Sequence, residues 1–384
     1  MIAAGKAAIG MAQAVDDLFS DRHVRGVITA RVEGTRPGWT TFPATHPRPS
    51  AASEAAGRAA LALADQVRVD NGVLLVCLSG GASAMLAVPA AGLTIEDKAA
   101  TTTVLLNAGL DIGDINTVRR HLSAIKGGQL AARAGRSITL AISDVCTPVE
   151  DDPAVIGSGP TSGDPSTFAD ALAIITTHGL TTQIPSAALQ HLQAGAAGRV
   201  PGPVSADDAA LRQAAYWVIG SRREAMTAAA ETASRLGYQV HVVAPPTTGE
   251  ARQAPQHLID EALATGLPRP LCVIASGETT VHVRGSGRGG RNQELAVAAL
   301  ALLHQHGPAA LASVGTDGVD GPTDSAGAIV DDSMWAGLGP DAHARSMAAL
   351  EANDCYPFLE TLGALVRTGP TGTNVGDLQV LLLV

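Results

Sequence analysis

Four apolar runs without polar alternation, residues 73–78, 139–142, 240–243 and 271–275, constrain this chain more than any other feature. A strand that is apolar on both sides must be covered on both faces, as in a parallel sheet. Between such runs lie segments with helical spacing, at 50–67 and 94–110, the second opening with Thr94 as N-cap and Asp97 three residues on. Strand and helix in alternation imply βαβ units and an α/β fold. At 384 residues the chain exceeds what one core organises. Two domains are therefore expected, 1–245 and 246–384, divided at Pro245 and Pro246 where a predicted strand over 239–243 gives way to loop residues. The Gly-, Pro- and Ser-rich stretch 195–208 reads as a surface loop.

Composition narrows the function. Aromatics make up 3% of the chain and the formal charge is −10 with no long basic run, which argues against nucleic acid as a partner. The four cysteines form no CxxC pair, so neither a disulfide framework nor a zinc site is indicated and a cytoplasmic setting is expected. Lys6 interrupts the apolar start, unlike a signal peptide. The longest apolar run, 295–303, is far short of the roughly 20 residues that span a bilayer. Of 26 Lys and Arg only Lys6, Lys98 and Lys126 are lysines, and two of them abut glycine.

Glycine-rich segments follow several predicted strands, where α/β proteins place ligand loops. Gly5-Lys6 opens the first helix, offering amides and an ammonium to an anion; a solvated lysine is the alternative. Ser79-Gly80-Gly81-Ala82-Ser83 follows the run 73–78 and is a phosphate-loop candidate or a tight turn, though no Walker A pattern occurs. Asn116, Arg119, Ser123 and Lys126 recur at helical spacing, so one continuous helix would put them on a single anion-gripping face, or a solvated one. Asp144 closes the strand at 139–142 and could hold Mg²⁺ or take a proton. Gly285-Ser-Gly287-Arg-Gly289-Gly290 fits G-x-G-x-x-G between a predicted strand (279–283) and helix (292–304), and Arg288 and Arg291 suit phosphate or carboxylate. Gly315-Thr316-Asp317-Gly-Val-Asp320, after a predicted strand at 311–314, puts carboxylates on a glycine-rich loop where metal or hydroxyls could bind.

In order along the chain, GKAA, HPRPS, SGGASAML, NTVRRHLSAIKGG, SDV, GSGPT, SGETTV, GRGGRNQEL, GTDGVDGPTDSAGA and TGPTGTNVGDL resemble the type II glycerate kinase (MOFRL) family nearly end to end. The resemblance implies an N-terminal Rossmann-like domain with a parallel sheet, a smaller C-terminal MOFRL domain, and an active site in the cleft between them. It implies phosphorylation of D-glycerate by ATP with Mg²⁺, most simply to 2-phosphoglycerate, with Lys6 and Arg291 as catalytic cations. Ser79, Gly80, Gly81, Ser83, Asn116, Arg119, Lys126, Glu278, Thr316, Asp317 and Asp320 would line the site, with Asp144 as metal ligand. The partners implied are glycerate and a nucleotide, with no membrane and no nucleic acid; a homo-oligomer is left open. Relatives also carry the name hydroxypyruvate reductase, an NAD(P)H alternative resting on GSGRGG, and a noncatalytic hydroxy-acid sensor is a third reading. Ser50 stands where the family usually has Asp, and Arg222 where Asn is usual. Because the chain begins almost at GKAA, residues 2–4 are expected to be the remnant of a strand, at a cost in stability.

Overall fold

Three residues, β1 (Ile2–Ala4), form the centre of the first sheet, wholly buried and paired in parallel with β2 (Gly26–Ala30) on one side and β4 (Leu74–Leu78) on the other. In the computed structural model, which describes residues 1–20, 24–31 and 37–384, this sheet has β3 (Trp39–Pro43) at one edge and β5 (Ser137–Ile142) then β6 (Ala214–Gly220) toward the other. The order β3-β2-β1-β4-β5-β6 is that of a Rossmann sheet, and the strand order reverses between β1 and β4. Apolar helices cover both faces. Ala56, Ala60 and Ala64 pack with Ile2, Val76 and Leu78, while Ala8, Met11 and Val15 pack with Ala3, Ile28 and Cys77. A satellite core gathers Leu105, Val118, Phe168, Ile175 and Leu192.

Local chemistry sets the helix starts. Thr94 and Asp97 form the expected capping box of the helix Ile95–Asn107. Ser50, at the family's usual Asp position, caps the helix Ala51–Val69 with the same geometry, accepting from the Ser53 amide.

The second sheet runs β11-β10-β9-β12-β8-β7, with β7 (Gln239–Val242), β8 (Leu271–Gly277), β9 (Ala309–Gly315), β10 (Gly327–Asp331), β11 (Leu365–Val366) and β12 (Asp377–Leu383). Only β7 and β8 pair in parallel; the β8–β12, β12–β9, β9–β10 and β10–β11 pairs are antiparallel. The runs at 240–243 and 271–275 therefore belong to a mixed sheet, and β7 is a half-exposed edge. The compact units are Met1–Ile219 and Gly220–Val384. That division lies upstream of the expected boundary at Pro245, because β7 is hydrogen-bonded into the second sheet and the helix Arg222–Arg235 packs on it.

Two further expectations change. Residues 279–283 are no strand: beyond β8 the backbone makes a single bridge, Thr280 to Glu250. The helix carrying Asn116 ends at His121 with Leu122 as C-cap, and the chain then bridges through Ser123 to Pro89 before Gly127 and Gly128 turn it in left-handed conformations. The stretch 195–208 holds no buried residue and, past the end of the helix Ser186–Ala196, runs as a surface loop that Val204 ties down by donating to Gly127 O and accepting from the Asp164 amide.

Candidate active site

In the first unit the candidate residues meet at the carboxyl ends of β1 and β4, where the strand order reverses and open α/β sheets bind ligands. Gly5 (φ +114°) turns the chain out of β1 so closely against Ser79 that a Cβ there would collide with it. The Lys6 amide donates to Gly80 O (2.9 Å), and the Ala7 amide donates to Ser79 Oγ (3.0 Å). The GK and SGG turns are thus one structure, and the amides of Lys6 and Ala7 are spent inside it. His46, from HPRPS, lies over the same turn: a Cβ on Gly81 would stand 3.3 Å from its Cδ2.

Behind this turn runs a buried polar chain. Lys126 is 2% exposed and donates to Ser83 O (2.9 Å), Ser83 Oγ (3.2 Å) and Gly157 O (3.0 Å). Ser83 Oγ lies 2.6 Å from Ser158 Oγ, which donates to Asn116 Oδ1 (2.9 Å). Gly157, Ser158 and Gly159 are all left-handed, which aims their carbonyls at Lys126, Gly127 and Gly128. An ammonium has three donors, and all three here go to protein acceptors. Lys126 and Asn116 therefore brace the turn from behind, where the single-face helix had put them against a ligand. Ser123 leaves that face as well, its hydroxyl donating to Val88 O.

Charge in this region is one-sided. Burial, then the charges of Arg119, Lys98 and Arg120, hold Lys126 well below the ordinary lysine value. Burial and Arg119 lower Lys98 to about 7. Partial desolvation, then Lys6, Arg31 and Arg119, hold His46 below its ordinary value. Arg120 is answered by Asp164 (2.7 Å); the Arg119 guanidinium makes no hydrogen bond or ion pair with any described residue, and burial alone lowers it to about 10.

The second unit joins Glu278, Arg291, Thr316, Asp317 and Asp320 around a residue that the sequence reading did not single out, Asp377. Arg291 opens the helix Arg291–His306 and places its fork on the wholly buried Asp377 (Nε–Oδ2 2.5 Å, Nη2–Oδ1 2.9 Å), with Nη1 3.1 Å from Glu278. Burial works against the arginine's charge, but Asp377, Glu278 and Asp320 together raise its pKa above the ordinary value. The carboxylate of Asp320 accepts the Asn292 and Gln293 amides (3.1 and 2.9 Å), so the helix N-terminus is filled by the protein's own anion. Burial pushes Asp320 up to about 6, against those two amides; Asp377 adds to the rise and Arg291 opposes it. Thr316 is tied to Gly376 O (2.6 Å), and Asp317 Oδ1 accepts the Val319 amide (3.0 Å). In GSGRGG no strand precedes the glycines, and Gly285, Gly287 and Gly290 instead allow close approach to Ala352, Asp354 and Asp320. The fingerprint is a packing motif, and the NAD(P)H alternative loses its structural support.

Two family models match the chain, "Domain of unknown function (DUF4147)" over residues 1–193 and "MOFRL family" over 271–377. A D-glycerate 2-kinase of Thermotoga maritima is 36% identical over 399 residues, spanning 100% of this chain and 90% of the relative. A crystal structure of glycerate kinase from the same organism superposes with a TM-score of 0.86 at 35% identity, over 100% of this chain and 91% of that one. The chain belongs to the MOFRL glycerate 2-kinase family. A relative from Agrobacterium vitis, 36% identical over 100% of this chain and 86% of its own length, is provisionally named a hydroxypyruvate reductase.

Within a MOFRL glycerate kinase frame, the first unit holds in Arg119 a cation with no carboxylate among the described residues, and the second holds in Arg291 a cation already matched. Sequence reasoning missed His46, Arg31, Ser158 and Asp377. Motifs containing His46, Ser158 and Asp377 were in view, but which partner each would meet depends on contacts across the fold. No group of three or more His, Cys, Asp or Glu able to hold a metal occurs among the described residues, and no helix among them is long and apolar enough to cross a membrane.

Proposed function

We propose that the protein is a kinase that transfers a phosphoryl group from ATP to D-glycerate, giving 2-phosphoglycerate. The observation that carries this reading is the joined GK and SGG turn at the strand-order reversal, with Lys6 and glycine backbone on one surface. Phosphoryl transfer asks a protein chiefly for positioning and for neutralisation of oxygen charge. In this reading Gly80 and Gly81 receive the donor's phosphates and Lys6 meets the transferring oxygens. The brace of Lys126, Ser83, Ser158 and Asn116 keeps the turn fixed between turnovers.

Mg²⁺ accompanies such nucleotides, is commonly held by one or two carboxylates plus phosphate oxygens, and neutralises phosphate charge when bound. Asp144, just past β5, is the carboxylate assigned to it. Arg291 acts in this reading through the fork it shares with Asp377.

Incubation of ATP·Mg²⁺ with D-glycerate, read by phosphorus and proton NMR, tests the reading. Formation of 2-phosphoglycerate is expected, and Lys6→Ala abolishes it while leaving the circular-dichroism melt unchanged. NADH-dependent loss of hydroxypyruvate with no ATP-dependent product overturns it.

A further inference from the structure

Four basic side chains gather beside the GK and SGG turn. Lys6, Arg31 and Arg119 all act on His46, and every charge acting on that ring is positive. The His46 ring lies beside Gly81, and the Lys6 backbone is tied by its amide to Gly80 O. Arg119 projects from the helix Ile112–His121, which Asn116 ties to Ser158 and Ser83. Arg119 is half-buried, sits within range of two buried lysines, Lys98 and Lys126, and its guanidinium has no hydrogen-bond or ion-pair partner among the described residues.

A desolvated cation among other cations costs free energy through repulsion and lost solvation. Each other buried cation nearby has an answer: Arg120 has Asp164, Lys98 has the carbonyls of Arg119 and Leu122, and Lys126 has Ser83 and Gly157. Arg119 presents a fork that no described residue uses, and a counter-charge arriving from outside the chain would answer it. A planar guanidinium matches a planar carboxylate with two parallel hydrogen bonds. Backbone amides, the usual cradle of phosphate, are spent at Lys6 and Ala7, so what Arg119 and His46 offer is side-chain recognition of a small oxyanion.

We propose that Arg119, on the helix that Asn116 ties to the SGG turn and with His46 over Gly81, forms a subsite for the carboxylate of the hydroxy-acid acceptor beside that turn. This rests on the kinase reading for the identity of the acid, while the subsite itself rests on the unused fork of Arg119. Gripping the carboxylate there fixes the acid by its one charged end and leaves its hydroxyls free to react. The same oxyanion chemistry would suit a donor phosphate, and the test separates the two.

Steady-state kinetics on Arg119→Gln and Arg119→Lys, with KM measured for D-glycerate and for ATP, is joined by calorimetric titration of each protein with D-glycerate and with inorganic phosphate. The expected result for Arg119→Gln is a rise in KM for D-glycerate on the order of 100-fold, the loss of one charge-assisted bidentate pair, with KM for ATP within about threefold. Arg119→Lys recovers part of the glycerate affinity. The melting temperature of Arg119→Gln stays level or rises, since repulsion is removed. A rise confined to KM for ATP overturns the assignment in favour of the donor, and unchanged KM values with unchanged D-glycerate heats overturn it altogether. Should the wild type bind D-glycerate in the calorimeter yet transfer no phosphate, the kinase reading fails alone. The subsite then stands if Arg119→Gln abolishes that heat and falls if it does not.

Discussion

Asp377→Asn isolates what the Arg291 fork contributes to the second unit. The native carboxylate is wholly buried, accepts two hydrogen bonds from Arg291 and has no solvent to fall back on. Removing one partner of a buried ion pair costs about 3–5 kcal/mol when the other is left stranded. Arg291 is only partly stranded, because its side chain is 30% exposed and Nη1 keeps Glu278 at 3.1 Å. The amide oxygen of the substituted side chain also retains one acceptor, and loss of the negative charge relieves Asp320, which Asp377 helps push up to about 6. These three offsets bring the expected loss to roughly 2 kcal/mol. In a unit of this size that is a fall of about 4–8 °C in melting temperature. Glu278→Gln is the matched control: Glu278 is 55% exposed, and exposed pairs contribute about 0–1 kcal/mol. Urea titration followed by hydrogen exchange in peptides from β8, β9 and β12 reads the second unit separately from the first. If Asp377→Asn unfolds within about 0.5 kcal/mol of wild type, or Glu278→Gln costs as much, the account of Arg291 as a matched cation is wrong.

Arg291→Lys keeps the charge and loses the fork, so kcat and the melting temperature of the second unit should fall together; a lower kcat at unchanged stability would mean the Asp377 fork contributes nothing to the fold. Lys98 titrates near 7 when folded against 10.5 in a free side chain. Above about pH 7 the unfolded chain therefore binds a proton that the folded one has released, stability rises from there toward about pH 9, and the slope should shrink in Lys98→Met, as urea midpoints across that range would reveal. Gly5→Ala meets both a φ of +114° and the Ser79 backbone and should lose at least about 2 kcal/mol along with activity. Gly10→Ala, in a helix with nothing within 4 Å of the new Cβ, should be neutral or stabilising by about 0.5–1 kcal/mol in the same thermal melts.

What the sequence revealed was local. The Thr94–Asp97 capping box, the buried run ending at Leu78 and the helix after Gly290 need only neighbours in the chain, and each stands where the pattern put it. The strand at 279–283 failed because alternating Thr and Val suit an extended loop as well as a ladder, and no partner strand lies beside them beyond the bridge from Thr280 to Glu250. The face shared by Asn116, Arg119, Ser123 and Lys126 failed because helical spacing says nothing about where the helix stops, and it stops at His121, after which Ser123 bridges to Pro89.

Sites are harder to read because the same residue type serves opposite ends according to the charge it meets. Arg291 and Arg119 look alike in sequence, each beside Asn, Gln or a second Arg, and each was a candidate to grip an anion. In the fold Arg291 meets Asp377, 86 residues away, and its charge is held; Arg119 acts on Lys98, Lys126 and His46, all basic, and burial works against its own charge. Acidic residues are not scarce in this chain, which carries 36 Asp and Glu against 26 Lys and Arg. A half-buried arginine that meets none of them among the described residues is therefore no consequence of composition. It is a placement, and that placement is what the proposed carboxylate subsite rests on.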